Sequence, residues 1–73
     1  MELRHLRYFV AVAEHLNFTK ATARLHLAQP SLTRQIHNLE AEIGVRLLNR
    51  SQSQVALTEE GRALHRRAER IRA

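Results

Sequence analysis

FTKATARLHLAQPSLTRQIHNL, residues Phe18 to Leu39, is the stretch that decides the fold. Its apolar residues are Phe18, Ala21, Leu25, Leu27, Leu32 and Ile36. The interval of two between Leu25 and Leu27 breaks the helical period. On one continuous helix these two leucines would point about 200° apart, leaving one of them in water. Two short helices meeting at a tight turn place both in a single core. The spacing therefore predicts a helix to about Leu25, capped at its start by Asn17 or Thr19. A turn of His26, Leu27 and Ala28 follows, and then a helix from about Gln29 to Glu42 with Pro30 in its first turn. Gly44 stands where a left-handed cap ends such a helix.

The helix from Gln29 carries the chemistry. At about 100° per residue, Leu32, Ile36, Leu39 and Ile43 fall within a sector of roughly 60° and form the side predicted to face the core. The opposite side presents Pro30, Arg34, His37 and Ala41, flanked by Ser31, Thr33 and Asn38. It is small or polar, bears a single Arg, and meets no acid before Glu40. A helix entering the major groove of DNA needs such a surface: small residues for close approach, Arg for guanine or phosphate, and hydroxyls and amides for base edges. In helix-turn-helix proteins the N-terminal part of the second helix reads the bases.

Outward from this unit, Leu3, Leu6, Phe9, Val10, Ala13 and Leu16 recur at helical steps, predicting an amphipathic helix over residues 3–15. After Gly44 the period shortens. Val45–Asn49 and Gln54–Leu57 read as short strands joined by Arg50-Ser51-Gln52-Ser53. A β-ribbon beside a helix-turn-helix is a wing. Arg50 suits a phosphate or a narrow minor groove, while Gln52, Ser53 and Gln54 offer neutral hydrogen bonds. Thr58, followed by Glu59 and Glu60, starts a last helix with Gly61, Leu64, Ala68 and Ile71 on one side. The predicted fold is mainly α, a winged helix-turn-helix: a three-helix core, a small β-hairpin wing, and the start of a C-terminal helix. Residues 1–57 make the DNA-binding unit and residues 58–73 the beginning of the last helix, which runs out without a terminator and so reads as part of a longer protein.

Length and charge narrow the function. Seventy-three residues make one small core and leave little room for an enclosed substrate pocket. With no cysteine there is no disulfide and no thiolate metal site, which suits a cytoplasmic protein. No run is apolar enough for a signal peptide or a membrane span, so no membrane partner is expected. The net charge of +5 arises mostly late: residues 1–61 hold seven Lys or Arg against six Asp or Glu, and residues 62–73 hold five Arg against one Glu. Position thus says more than the total. Lys20, Arg24, Arg34, Arg46 and Arg50 lie in or after the two-helix unit, whereas the five late arginines are read as solvating the exposed side of the last helix. His5, His15, His26, His37 and His65 lack the close spacing of a metal site. His37 lies on the outward stripe, and the other four read as surface or boundary positions. Glu40 and Glu42 diverge on their helix, and no Gly-rich phosphate loop or activated Ser is present. Neither enzyme chemistry nor a cofactor is expected.

The segments LRHLRYFVAVAEHLNFTKAT, RLHLAQPSLTRQIHNLEAEIGVRLLNR and LTEEGR together resemble the N-terminal winged helix-turn-helix of LysR-type bacterial transcriptional regulators. The resemblance implies that Gln29, Pro30, Ser31, Thr33 and Arg34 meet base edges and nearby phosphates. Thr19 and Lys20 match positions that contact the backbone. It further implies an effector domain, like a periplasmic binding protein, beyond this chain. A small-molecule inducer acts only through that domain. The last helix becomes a linker that pairs two subunits into a homodimer, and the 61, 64, 68, 71 spacing suits such a seam or packing onto the first helix equally well. Four positions depart from the family pattern. Ala28 replaces a frequent capping Ser, Thr22 stands where Ala is usual, His26 occupies a turn position often held by Gly, and the wing tip Ser51-Gln52-Ser53-Gln54 lacks the Arg of several members.

The expected function is sequence-specific binding of a double-stranded DNA operator, with helix 29–42 in the major groove and the wing near residues 50–54 beside it. One alternative is a helical protein-interaction module without DNA binding, against which stand Arg34 and the acid-free stripe. A second is single-stranded nucleic acid or RNA, which exploits exposed aromatics. Here the aromatics are only Tyr8, Phe9 and Phe18.

Overall fold

The computed structural model describes residues 2–50 and 54–72, with side chains through residue 70. The order is α1 (Leu3–His15), α2 (Phe18–Leu25), α3 (Gln29–Ile43), β1 (Leu48–Arg50), β2 (Val55–Leu57) and α4 (Glu59–Arg72). The first helix is the hub, packing against α2, α3 and α4. Its Phe9 and Val12 are fully buried with Leu32 and Leu39 of α3 and with Leu47 from the chain entering β1.

The turn predicted at Leu25 and Leu27 is present. Both leucines are half-buried and packed on the core. Of the two cap candidates, Asn17 does the work: its Oδ1 accepts from the Lys20 amide at 2.9 Å. His26 ends α2 in the left-handed conformation, φ 58°. Most residues other than Gly reach that region at a cost of about 1–2 kcal/mol. Here the Leu27 amide reaching back to the Thr22 carbonyl at 3.1 Å helps hold it.

Ala28 is the N-cap of α3, extended at φ −74° and ψ 147°, and supplies no side-chain hydrogen bond. That backbone already has the geometry of a Ser cap. Ala28→Ser is expected to stabilise the domain by about 1 kcal/mol, read as a higher denaturant midpoint at unchanged slope. A lower midpoint would show that the position is closed to a hydroxyl.

Three expectations need correction. Ile43 lies in the predicted core sector but is 40% exposed. It is the last residue of α3, past the end of the core that covers Leu32, Ile36 and Leu39. Strand β1 spans Leu48–Arg50 rather than Val45–Asn49, and β2 begins at Val55 rather than Gln54. The amides of Leu47 and Leu48 are taken by the Glu40 carboxylate, at 2.7 and 3.2 Å, and the ladder starts only at Leu48, opposite Leu57. His5, read as a surface or boundary residue, is buried at 8% exposure. It stands four residues before Phe9 on the α1 face turned to the core.

The two strands pair antiparallel, with Leu48 opposite Leu57, Asn49 opposite Ala56 and Arg50 opposite Val55. Arg50 is therefore a strand residue and not part of the connecting loop. Ser51, Gln52 and Ser53 lie outside the described residues. Thr58 caps α4 as predicted, its Oγ1 accepting from the Gly61 amide at 2.9 Å and donating to the Arg46 carbonyl at 2.7 Å. Gly61 and Ala68 are buried and Leu64 is half-buried. This side of α4 therefore packs into the domain, toward α1 and β2. The side chain of Ile71 lies outside the described residues.

Candidate nucleic-acid interface

The core-facing row of α3 is closed: Leu32 and Leu39 are fully buried and Ile36 is 2% exposed. The opposite row is open. Gln29, Pro30, Arg34, His37 and Asn38 are exposed, and Ser31 and Thr33 are half-buried along its edges. One apolar row sunk in the core thus turns the polar row outward, as the period requires. The first turn of α3 carries no acidic residue and no side-chain cap. No carboxylate therefore offsets the positive end of its dipole, which favours an anion such as phosphate.

Thr19 and Lys20 are exposed in the first turn of α2, held there by the Asn17 cap. Both belong to the two-helix unit that presents α3. Arg24, grouped above with the basic residues of this unit, is instead committed elsewhere: its guanidinium pairs with Glu14 of α1 at 2.8 Å. Gln54 is exposed at the foot of β2. Gln52 and Ser53 of the predicted wing contacts fall among the residues not described.

Arg50 is placed differently from the free wing-loop residue that the sequence suggested. Its guanidinium carbon sits 4.2 Å from the centroid of the Phe18 ring. The loop end of β1 is thereby tied to the start of α2. Phe18 is only 5% exposed, so the arginine covers an otherwise core-embedded ring.

Glu40 is a functional residue that the sequence reading missed. In the sequence it is only the first acid after the outward stripe of α3. Its Oε2 in fact turns back to accept from the Leu47 and Leu48 amides. Carboxylate-to-amide bonds of this kind are stronger than neutral ones, and these two anchor the chain that leads into β1. Gly44, left-handed at φ 87°, makes the reversal that brings residues 47 and 48 beside Glu40. An acid one turn before a C-terminal glycine was the only local signal.

One group of side chains was not anticipated from spacing. Glu14, His65 and Glu69 bring potential ligand atoms within 4.8 Å of one another, although the histidines are scattered in sequence. Glu14 is already engaged by Arg24. His65 Nε2 lies 3.0 Å from Glu69 Oε1, one turn along α4, close but without hydrogen-bond alignment. An open groove between α1 and α2 is lined by Leu3, Arg7, Val10, Ala11, Glu14, Arg24 and Leu25. None of the predicted contact residues borders it. Among the described residues no helix is long and apolar enough to cross a membrane.

Comparison with known proteins agrees with this fold. The chain is 54% identical to the protein in the crystal structure of the BenM DBD/catB site 1 DNA complex, with a TM-score of 0.92 over 97% of this chain and 80% of that one. It is 51% identical to the protein in the CbnR DBD–DNA complex, with a TM-score of 0.92 over 97% of this chain and 82% of that one. Among curated relatives, the Hca operon transcriptional activator HcaR of Escherichia coli (strain K12) is 62% identical over 61 residues, 84% of this chain and 21% of that protein. The regulator BenM of Acinetobacter baylyi is 61% identical over 61 residues, 84% of this chain and 20% of that protein. The chain thus spans about a fifth of the length of these relatives. The family model described as bacterial regulatory helix-turn-helix protein, lysR family, matches residues 3–62, and with the winged fold and the outward row of α3 in place, the chain belongs to that family.

Proposed function

We propose that this chain is the part of a LysR-type transcriptional regulator that reads double-stranded DNA, with α3 in the major groove and the β1–β2 wing beside it. The observation that carries this reading is the exposed row Gln29, Pro30, Arg34 and His37 on a helix whose opposite row, Leu32, Ile36 and Leu39, is buried. Ser31 and Thr33 flank this row, and the first acid, Glu40, is turned away to backbone amides. Gln29 suits a bidentate bond to adenine, Pro30 a thymine methyl, and Arg34 guanine or phosphate. Thr19 and Lys20 take the backbone, and residues 50–54 of the wing take the flanking backbone or minor groove.

Residues 1–57 form the reading unit, and residues 58–73 begin a linker through which the full regulator pairs as a homodimer on a partly palindromic operator. The regulator works in the cytoplasm, and an inducer reaches this unit only through an effector domain outside the chain. The related BenM and CbnR domains, crystallised on DNA, support this reading.

The test uses anisotropy on a duplex enriched by this chain from a random pool, beside a scrambled duplex. Arg34→Ala is expected to weaken binding to the enriched duplex by about 1–3 kcal/mol and to narrow its advantage over the scrambled one. Wild-type binding should fall steeply as salt rises, through release of counterions. Equal affinity of wild type and variant for both duplexes would remove Arg34 from the reading surface.

A further inference from the structure

Glu14, near the end of α1, and His65 and Glu69 on α4 each bring one potential ligand atom to within 4.8 Å of the others. We propose that these three side chains form a site for one divalent cation of the zinc class, which cross-links α4 to α1. The site lies apart from the DNA-reading surface and does not depend on it.

Geometry comes first. His65 and Glu69 stand four residues apart on one helix and so share a face, with His65 Nε2 3.0 Å from Glu69 Oε1. Ligand atoms bound to a tetrahedral zinc ion, each at about 2.0–2.1 Å, lie roughly 3.4 Å from one another. The helical pair already has nearly that spacing. The third atom, from Glu14, has at most about 1.4 Å to close. Both glutamates are exposed, so side-chain rotation closes the gap without moving either helix.

The second argument is the histidine nitrogen itself. His65 Nε2 is shielded from solvent and has no hydrogen-bond partner among the described residues. A polar atom left so costs free energy. With the ring proton on Nδ1, the Nε2 lone pair and the Glu69 carboxylate are two electron donors face to face. A cation between them turns that repulsion into two coordinate bonds.

The third argument is the donor set. One imidazole and two carboxylates balance a divalent charge, suit zinc among the borderline metals, and leave a fourth position for water. The rival cation is Arg24, whose guanidinium meets Glu14 at 2.8 Å. That pair is largely open to solvent, with side-chain exposures of 50% and 29%, so it is weak and readily exchanged for a metal ion. Until then it holds Glu14 beside α4. Because residues 58–73 begin the linker in the reading above, a bound ion stiffens the joint between that linker and the reading unit.

The test titrates the chelator-treated, desalted chain with zinc chloride by calorimetry. Wild type is expected to take up one ion per chain, and His65→Ala and Glu69→Gln should each weaken uptake roughly tenfold or more. Arg24→Gln should tighten it severalfold, because Glu14 loses its rival cation. His15→Gln, beside Glu14 but exposed, should leave it unchanged. Zinc should raise the melting temperature of wild type and not that of His65→Ala. Cobalt(II) in place of zinc should give the intense visible bands of a four-coordinate site, absent in His65→Ala. If His65→Ala fails to fold by circular dichroism, Arg24→Gln still decides, since damage to the fold does not tighten a site. The proposal is overturned if wild type takes up no zinc, if His65→Ala binds as tightly as wild type, if His15→Gln abolishes uptake, or if Arg24→Gln leaves the affinity unchanged or lower.

Discussion

Gly61→Ala is expected to destabilise the domain by about 3 kcal/mol or more, against the usual direction of that substitution. In an unconstrained helix interior, Ala is favoured over Gly by roughly 1 kcal/mol. Here a Cβ on residue 61 would overlap the Leu47 carbonyl oxygen, with the Leu47 carbonyl carbon 3.1 Å and Thr58 Oγ1 3.3 Å away. None of these neighbours is free to retreat. The Leu47 amide is held by Glu40, its carbonyl accepts from the Thr58 amide at 3.0 Å, and its side chain is 1% exposed. Thr58 is fixed in turn by the Arg46 carbonyl and the Gly61 amide. Relief would require α4 to lift from the domain and break the joint between helix and wing. Urea unfolding of the variant should show a clearly lower midpoint. A midpoint equal to or above wild type would mean that α4 does not approach Leu47 as closely as the structure shows.

Leu32→Ala should cost roughly 2–5 kcal/mol, the range for emptying a fully buried leucine site. Leu32 has no exposed surface and lies among Phe9, Ile36 and Leu39 in the main core. It also anchors the first turns of α3 from below, directly across from Arg34. A domain of this size has a total stability on the order of 4–11 kcal/mol, so the variant should be partly unfolded at moderate temperature. Thermal melting that leaves the midpoint unchanged would show that α3 is rotated from the orientation described.

These two sites mark where the sequence was informative and where it was not. The burial of Leu32, Ile36 and Leu39, the break between Leu25 and Leu27, and the Thr58 cap all follow from local periodicity or adjacent side chains, and each was legible. The exposed row of α3 follows from the same periodicity, because a helix with one face in a core has only one face left. Gly61 was read merely as a small residue on a packing side. Its need for close approach arises from the carbonyl of Leu47, fourteen residues earlier, whose position no period encodes. Glu40 escaped for a similar reason: its partners lie beyond the reversal at Gly44. Arg50 over Phe18 and Arg24 on Glu14 are likewise pairings between separate elements. Each moves an arginine from where charge counting alone had placed it. The burial of His5 was legible in principle, since it lies four residues before Phe9, but a titratable side chain on an otherwise apolar face was read as a boundary residue. The start of β1 slipped because Glu40 holds the Leu47 amide, which a propensity reading assigns to the ladder.

The orientation of α3 toward DNA is tested most directly by following the backbone amides of the labelled chain by NMR as the enriched duplex is added. The amides of Gln29, Ser31, Thr33 and Arg34, with those of Thr19 and Lys20, should shift or broaden most, and those on the exposed side of α1 least. Perturbations concentrated on α1 or on the outer side of α4, with residues 29–37 unmoved, would contradict the assignment of α3 as the helix that enters the groove.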